Sequence, residues 1–318
     1  MAARVIPLTC SGHTRPVVHL SFSPMLEDEG QYLLISSCKD GNPMLRNWLG
    51  DWVGTFIGHK GAVWSSKLCT DGSKAATGSA DFTAKVWDTY TGSQLHSFPH
   101  NHIVRTVCLS PSASHLLTAG HEKKVRLFDL TRPDSEPSFL RRPNSVDAHD
   151  AVIKSVIWDA DRAVGVSAGD DKIIRWWDLR ALQEIHSVTL DDPVSSMELS
   201  APNNTLVVTS GKNVSFMPLV PGLFPTHKLT LPHAPSSASL HPKSKDRFVA
   251  GSTSDPWVRV YGYQEGEERE VYKSHHGPIH CVEYSPDGEI YASGSEDGTI
   301  RLWQTIPGKT YGLWQGQD

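Results

Sequence analysis

A histidine followed 22 residues later by an aspartate and 28 residues later by a tryptophan occurs three times in this chain. The copies are His59, Asp81, Trp87; His149, Asp171, Trp177; and His275, Asp297, Trp303. A hydroxyl residue stands 18 residues after each histidine, at Thr77, Ser167 and Ser293. Two further copies keep the spacing with substitutions: His100 leads to Thr118, Glu122 and Phe128, and His233 to Gly251, Asp255 and Tyr261. A first copy is stretched, since His13 reaches Ser36 and Asp40 only after five extra residues, with Arg46 where tryptophan belongs. One more unit fits the gap before His233, with Asp191 in the histidine register and no other part of the signature. The units start near 13, 59, 100, 149, 191, 233 and 275. Repetition at one period means a single supersecondary unit copied along the chain, and no copy can bury its faces alone.

The unit itself is built of strands. Runs such as "AVWSSKLC", "KAATGSA", "TAKVW" and "TIRLW" are short, β-branched or aromatic, and punctuated by Gly, Asp, Ser and Pro. No long stretch carries a helical period, so the fold is all-β. Together with the early Gly-His and late Trp-Asp of "GHKGAVW…KVWD", the period is similar to that of WD repeats. The reading is a seven-bladed WD-repeat β-propeller, one domain over residues 1–318. Each unit's outer strand lies just before the next unit's histidine, as in "VGTFIG" before His59 and "REVYKS" before His275. The seventh unit has no successor, so residues 4–11 are predicted to complete the last blade beside "TIRLW", which removes an open sheet edge.

The recurring polar residues have two readings. In WD repeats, the resemblance implies, the tryptophan, hydroxyl, histidine and aspartate of a blade form one hydrogen-bond chain that satisfies buried polar groups. A catalytic triad at Ser293, His275 and Asp297 is the alternative. The same set recurs in two other units, and no G-x-S-x-G elbow accompanies it, so the structural reading is preferred. His275, His276, His280 and Cys281 also suggest a metal site. Alternation on a strand puts His280 and Cys281 on opposite faces, so no metal or other cofactor is predicted.

Composition narrows the function. With 30 basic and 35 acidic residues the net charge is −5, which argues against generic nucleic-acid binding and leaves direct RNA contact a secondary possibility. Five scattered cysteines without a CxxC fit neither a disulfide framework nor a zinc ribbon, and point to a reducing compartment. No stretch is apolar enough to cross a membrane, and no small-molecule chemistry is visible.

Function then lies on the propeller's surfaces. The rim holding the turns between second and third strands is here called the top. Five residues after each histidine register, the inner strands are read to begin at Val18, Trp64, Arg105, Lys154, Ser196, Ala238 and His280. The second-strand ends are read as Lys39, Ala80, His121, Asp170, Lys212, Ser254 and Glu296. An exposed Trp64 beside Arg105 and Lys154, with His280, is the candidate partner-binding site, because aromatic and basic residues dominate interface hot spots. Packing of Trp64 between blades is the competing reading. Two insertions, "PMLEDEGQ" and "TRPDSEPSFLRRPNSVD", are read as surface loops on the opposite rim.

"PLTCSGHTRPVV", "CKDGNPMLR", "GDWVGTFIGHKGAVW" and "SGSEDGTIRLWQTIPGKTYGLW" closely resemble the serine-threonine kinase receptor-associated protein family, also known for interaction with the RNA-binding protein upstream-of-N-ras. The resemblance implies a cytoplasmic and nuclear scaffold without enzymatic activity. It implies membership of the survival-motor-neuron complex, which loads Sm proteins onto spliceosomal RNAs in snRNP assembly. Its partners would be Gemin and Sm-assembly components or RNA-binding proteins, with roles in mRNA splicing and processing. Animal members continue into an acidic tail, whereas this sequence stops at Asp318, so tail-dependent and receptor-signalling roles are not expected of it. The alternative is the WD-repeat subunit of translation initiation factor three. A ubiquitin-ligase substrate adaptor would be expected to bring an F-box, for which residues 1–12 leave no room.

Overall fold

The computed structural model describes residues 6–26, 31–143, 145–159, 162–200, 204–222 and 227–306. These residues form seven four-stranded antiparallel sheets and no helix, each sheet a blade numbered here by its histidine register. Blade 4 shows the pattern: Ile153–Asp159, Val164–Gly169, Ile173–Asp178 and Gln183–Thr189, from axis to rim. Its second strand, "VGVSAG", is buried at every position because neighbouring blades cover both faces. The outer strand "QEIHSVT" alternates between exposed and half-buried residues, as one solvated face requires. Inner strands touch in ring order, from Val17–Phe22 of blade 1 round to Ile279–Tyr284 of blade 7 and back.

The core lies between blades. Trp176 of blade 4 is 1% exposed, packs with Val208 and Met217 of blade 5, and donates its indole N–H to the Leu219 carbonyl at 2.9 Å. Burying one such side chain stabilises by roughly 1.5–3 kcal/mol, so the ring is held chiefly by blade-to-blade apolar contact.

The last blade takes strands from both chain ends. Leu8–Cys10 runs antiparallel to Ile300–Gln304, with Leu8 opposite Leu302 and Cys10 opposite Ile300. Residues 4 and 5 of the expected closing segment lie outside the described residues. Arg46, 4% exposed where blade 1 should carry tryptophan, donates to the Gly50 carbonyl at 3.1 Å and to the Ser11 carbonyl. It therefore ties blade 1 to the incoming chain. Gly50 has φ +87°, and a Cβ there would stand 2.9 Å from Leu8, so this turn needs glycine.

One expectation needs correction. The insertion 131–147 is not wholly a loop: Ser138–Leu140 within it is the outer strand of blade 3. Leu140 is 1% exposed, and Phe139 lies under Arg126 at 5.5 Å, so this short apolar pair has a surface to cover. Its proline-rich flanks hid it. The chain then joins blade 4 through a parallel bridge from Arg141 to Gln183. Of "PMLEDEGQ", residues 27–30 lie outside the described residues.

Candidate functional site

Two polar systems could carry function: the repeated histidine sets inside the blades and the mouth of the central channel. In blade 2, His59 donates from Nδ1 to Asp81 at 2.8 Å, and its Nε2 accepts from the Thr77 hydroxyl at 2.7 Å. Thr77 Oγ1 in turn accepts the Trp87 indole N–H at 2.8 Å. Blade 4 repeats this, with His149 to Asp171 at 2.8 Å, His149 to Ser167 at 2.6 Å and Trp177 to Ser167 at 2.8 Å. So does blade 7, with His275 to Asp297 at 3.0 Å, His275 to Ser293 at 2.8 Å and Trp303 to Ser293 at 2.8 Å. Every hydroxyl of the three is fully buried and engaged by both histidine and indole. Such a serine has no free face for substrate, so these sets are structural pins.

The other blades show how the pin degrades. Blade 1 keeps His13 between Asp40 at 3.1 Å and Ser36 at 2.8 Å, with Arg46 replacing the indole. In blade 3 His100 still meets Thr118 at 2.8 Å, but Glu122 turns to Arg126 at 3.1 Å. In blade 6 the strand register puts Ala250, not the expected Gly251, at the hydroxyl position, and Tyr261 reaches His233 directly at 3.2 Å. Blade 5 has Val208 and Met217 at the hydroxyl and indole positions, both fully buried, while Asp191 faces solvent and pairs with Lys228 at 3.0 Å. Replacing the buried hydroxyl and indole by apolar groups leaves neither unsatisfied, so blade 5 needs no pin.

Burial disfavours imidazolium and pushes His275 down to about 4, as it does His100. Burial alone would raise Asp297, but hydrogen bonds from Thr299 and from the His276 backbone outweigh it and hold the carboxyl below the usual carboxylate range. Each blade 7 group thus binds its proton less readily folded than unfolded. Stability is accordingly full above about pH 6.5, the ordinary histidine value, and falls as pH drops toward 4 while the unfolded chain gains protons. Melting temperatures taken from pH 7.5 to 4.5 should fall progressively; a flat profile would contradict neutral buried histidines. Removing the carboxylate with Asp297→Ala should cost about 1.5–3 kcal/mol in denaturant unfolding, the scale of a charge-assisted hydrogen bond. No loss would remove Asp297 from the pin.

His13, Cys38 and Asp40 bring ligand-type atoms within 4.8 Å of one another. These atoms are engaged: Cys38 donates to the Arg15 carbonyl at 3.0 Å, and burial pushes its thiol up to about 12. A protonated thiol is a poor metal ligand, so the cluster fits a blade pin and not a metal centre. His276 is exposed and His280 half-buried, whereas Cys281 is buried and directed to the Val17 carbonyl at 3.8 Å, so these do not converge.

The channel mouth owes its shape to one local device. Every inner strand slips register once at its top, and the extra residue points into the channel. The slips fall at Val18, Trp64, Arg105, Lys154, Ser195, Ser236 and His280. Ser195 and Ser236 thus replace the expected Ser196 and Ala238, because Leu190 and Leu231, not Asp191 and His233, fill the histidine place: their backbone N–H groups bond to Lys172 and Lys212 as that of His100 does to Phe82. For the same reason the second-strand ends there are Gly211 and Thr253, not Lys212 and Ser254. These side chains top a cavity of about 580 Å³.

All four predicted partner-binding residues line this cavity, but in a different state than expected. Trp64 is half-buried and not openly exposed, and the Arg105 guanidinium covers its ring at 3.8 Å, with Lys39 at 5.8 Å. Burial lowers Arg105 to about 10, which leaves it cationic at neutral pH. Lys154 is closed by Asp170 at 2.6 Å and His280 by Glu296 at 2.5 Å. Deeper in the channel Lys67 stands 3.9 Å from Glu283, whose carboxyl burial raises above the usual range. This inner pair is not legible from spacing, since neither residue belongs to the repeat signature.

The description "WD domain, G-beta repeat" matches residues 50–88, 92–129, 141–178 and 266–304. These segments cover the units with the three complete pins and that of blade 3; blades 5 and 6, where the pin is lost or rebuilt, fall outside. The protein class is therefore a WD-repeat β-propeller, in general a non-enzymatic scaffold for protein interaction. The serine-threonine kinase receptor-associated protein of Mus musculus is 50% identical over 99% of this chain and 87% of its own length. The protein of that name from Dictyostelium discoideum is 45% identical over 94% of this chain and 98% of its own. A more distant relative is eukaryotic translation initiation factor 3 subunit I of Culex quinquefasciatus, 28% identical over 93% of this chain and 95% of its own. The chain belongs to the serine-threonine kinase receptor-associated protein family.

Proposed function

We propose that this protein is a non-enzymatic scaffold of a survival-motor-neuron-type complex, acting in cytoplasm and nucleus in spliceosomal snRNP assembly and mRNA processing. Family membership supports the protein-interaction role, at about half identity along nearly the whole chain. The channel mouth is the docking place this reading favours, because it combines a stacked Trp64–Arg105 pair with a half-open cavity. Direct RNA contact stays secondary, because most mouth cations are matched by carboxylates and the net charge is −5.

Affinity purification of the tagged chain from its native cells tests the assembly. Recovery of Sm proteins with Gemin-type subunits is the expected result. Recovery of intact initiation factor three without Sm-assembly proteins would transfer the protein to the other branch of its relatives.

A further inference from the structure

Around the mouth, the height of the rim is uneven. At the strand bulges and second-strand ends, blades 5 and 6 carry Ser195, Gly211, Ser236 and Thr253, all small, with the Asp192 side chain lying against Gly211. In a seven-membered ring these two blades stand directly across from blade 2, which carries Trp64. The lip is therefore low on one side and high, aromatic and basic on the other.

Arg105, on the high side, differs from the other cations there. Lys154 and His280 each meet a carboxylate within 2.6 Å. The Arg105 guanidinium has no hydrogen bond or ion pair among the described residues, and it lies over the Trp64 face at 3.8 Å. Stacking fixes the plane of the fork while leaving its edge N–H groups without protein acceptors, and that edge borders the cavity. A fixed planar donor pair of this kind matches the two oxygens of a carboxylate.

We propose that the channel mouth receives an extended protein segment that crosses the low lip of blades 5 and 6 and places an aspartate or glutamate carboxylate on Arg105. This rests on the docking reading above and adds the chemistry of the occupant. Trp64 acts as the platform that holds the guanidinium, and Ser195 and Ser236 flank the path of the incoming backbone.

The test uses the full chain and a library of decapeptides, randomised at the flanks, with the fifth residue fixed as Asp, Glu, Asn, Gln or phosphoserine. Acid-centred peptides should be retained about tenfold over their amide counterparts, the scale of one charge-assisted hydrogen-bonded pair. Arg105→Gln should erase that preference. Arg105→Lys should lose most of it, because charge without the fork is insufficient. Arg180→Gln, at an exposed position away from the mouth, should leave it intact. Melting temperatures confirm that each variant is folded.

Equal retention of acid and amide peptides overturns the inference, as does stronger retention of phosphoserine peptides or of a single-stranded oligouridylate competing for the same mouth. If the chain still captures its cellular complex in a Trp64-dependent way but ignores acidic peptides, only the carboxylate assignment fails. Capture indifferent to both Trp64 and Arg105 defeats the docking reading as well.

Discussion

Deleting residues 1–11 should lower the melting temperature by about 5–10 °C, the largest stability change expected from a single alteration of this chain. The deletion removes the pairing of Leu8–Cys10 with Ile300–Gln304 and exposes the outer edge of the third strand in blade 7. It also strips Arg46 of the Ser11 carbonyl, leaving a nearly buried guanidinium short of an acceptor. Lost ladder bonds at about 1 kcal/mol each, an unsatisfied buried donor and the uncovered apolar contacts sum to roughly 4–6 kcal/mol. Cys10 packs with Ile300, Leu302 and Val17, so blades 7 and 1 both feel the loss. Scanning calorimetry of full-length and shortened chains decides the matter. Identical melting curves would mean that the ring closes without this strand.

The largest functional effect should come from Trp64→Ala combined with Arg105→Glu. The first change removes the surface on which the guanidinium lies, and the second places a carboxylate where an acidic partner must approach. Capture of partner proteins from native extract should fall below detection while the melting temperature stays near that of the parent chain. Both side chains sit at the mouth and belong to no blade pin, so folding does not depend on them. Full capture by the double variant would exclude the top of the channel as the docking place.

Much of this architecture is legible in the amino-acid sequence. The offsets from His59, His149 and His275 identified the unit, its number of copies and the three complete pins, because a buried hydrogen-bond chain tolerates little change in spacing. The closing strand was legible as well, since the seventh unit lacked an outer strand and "LTC" was the apolar run left over. Counting fails where the pin position no longer holds a histidine. Asp191 and His233 hold the histidine register by counting, yet Leu190 and Leu231 occupy that place in the fold, which moves the channel residues from Ser196 and Ala238 to Ser195 and Ser236. Counting cannot detect that slip, because the hydroxyl and indole that would reveal it are missing from those blades. Trp64 illustrates a second limit. Its position on the inner strand was readable, but its cover by Arg105 depends on two adjacent blades meeting side by side.

The shared last blade has a consequence during synthesis. Leu8–Cys10 leaves the ribosome long before its partner strand Ile300–Gln304. At about 5–20 residues per second, the two are separated by roughly 15–60 s of elongation. Through that interval the first strand is an unpaired edge attached to a growing array of finished blades, and such edges invite pairing with other chains. Blades 1 to 6 can each complete themselves from contiguous chain, but the ring cannot lock until Ile300–Gln304 has emerged. Any ligand that covers the nascent N-terminal strand and releases it late would therefore govern the yield of closed propeller without touching the finished molecule.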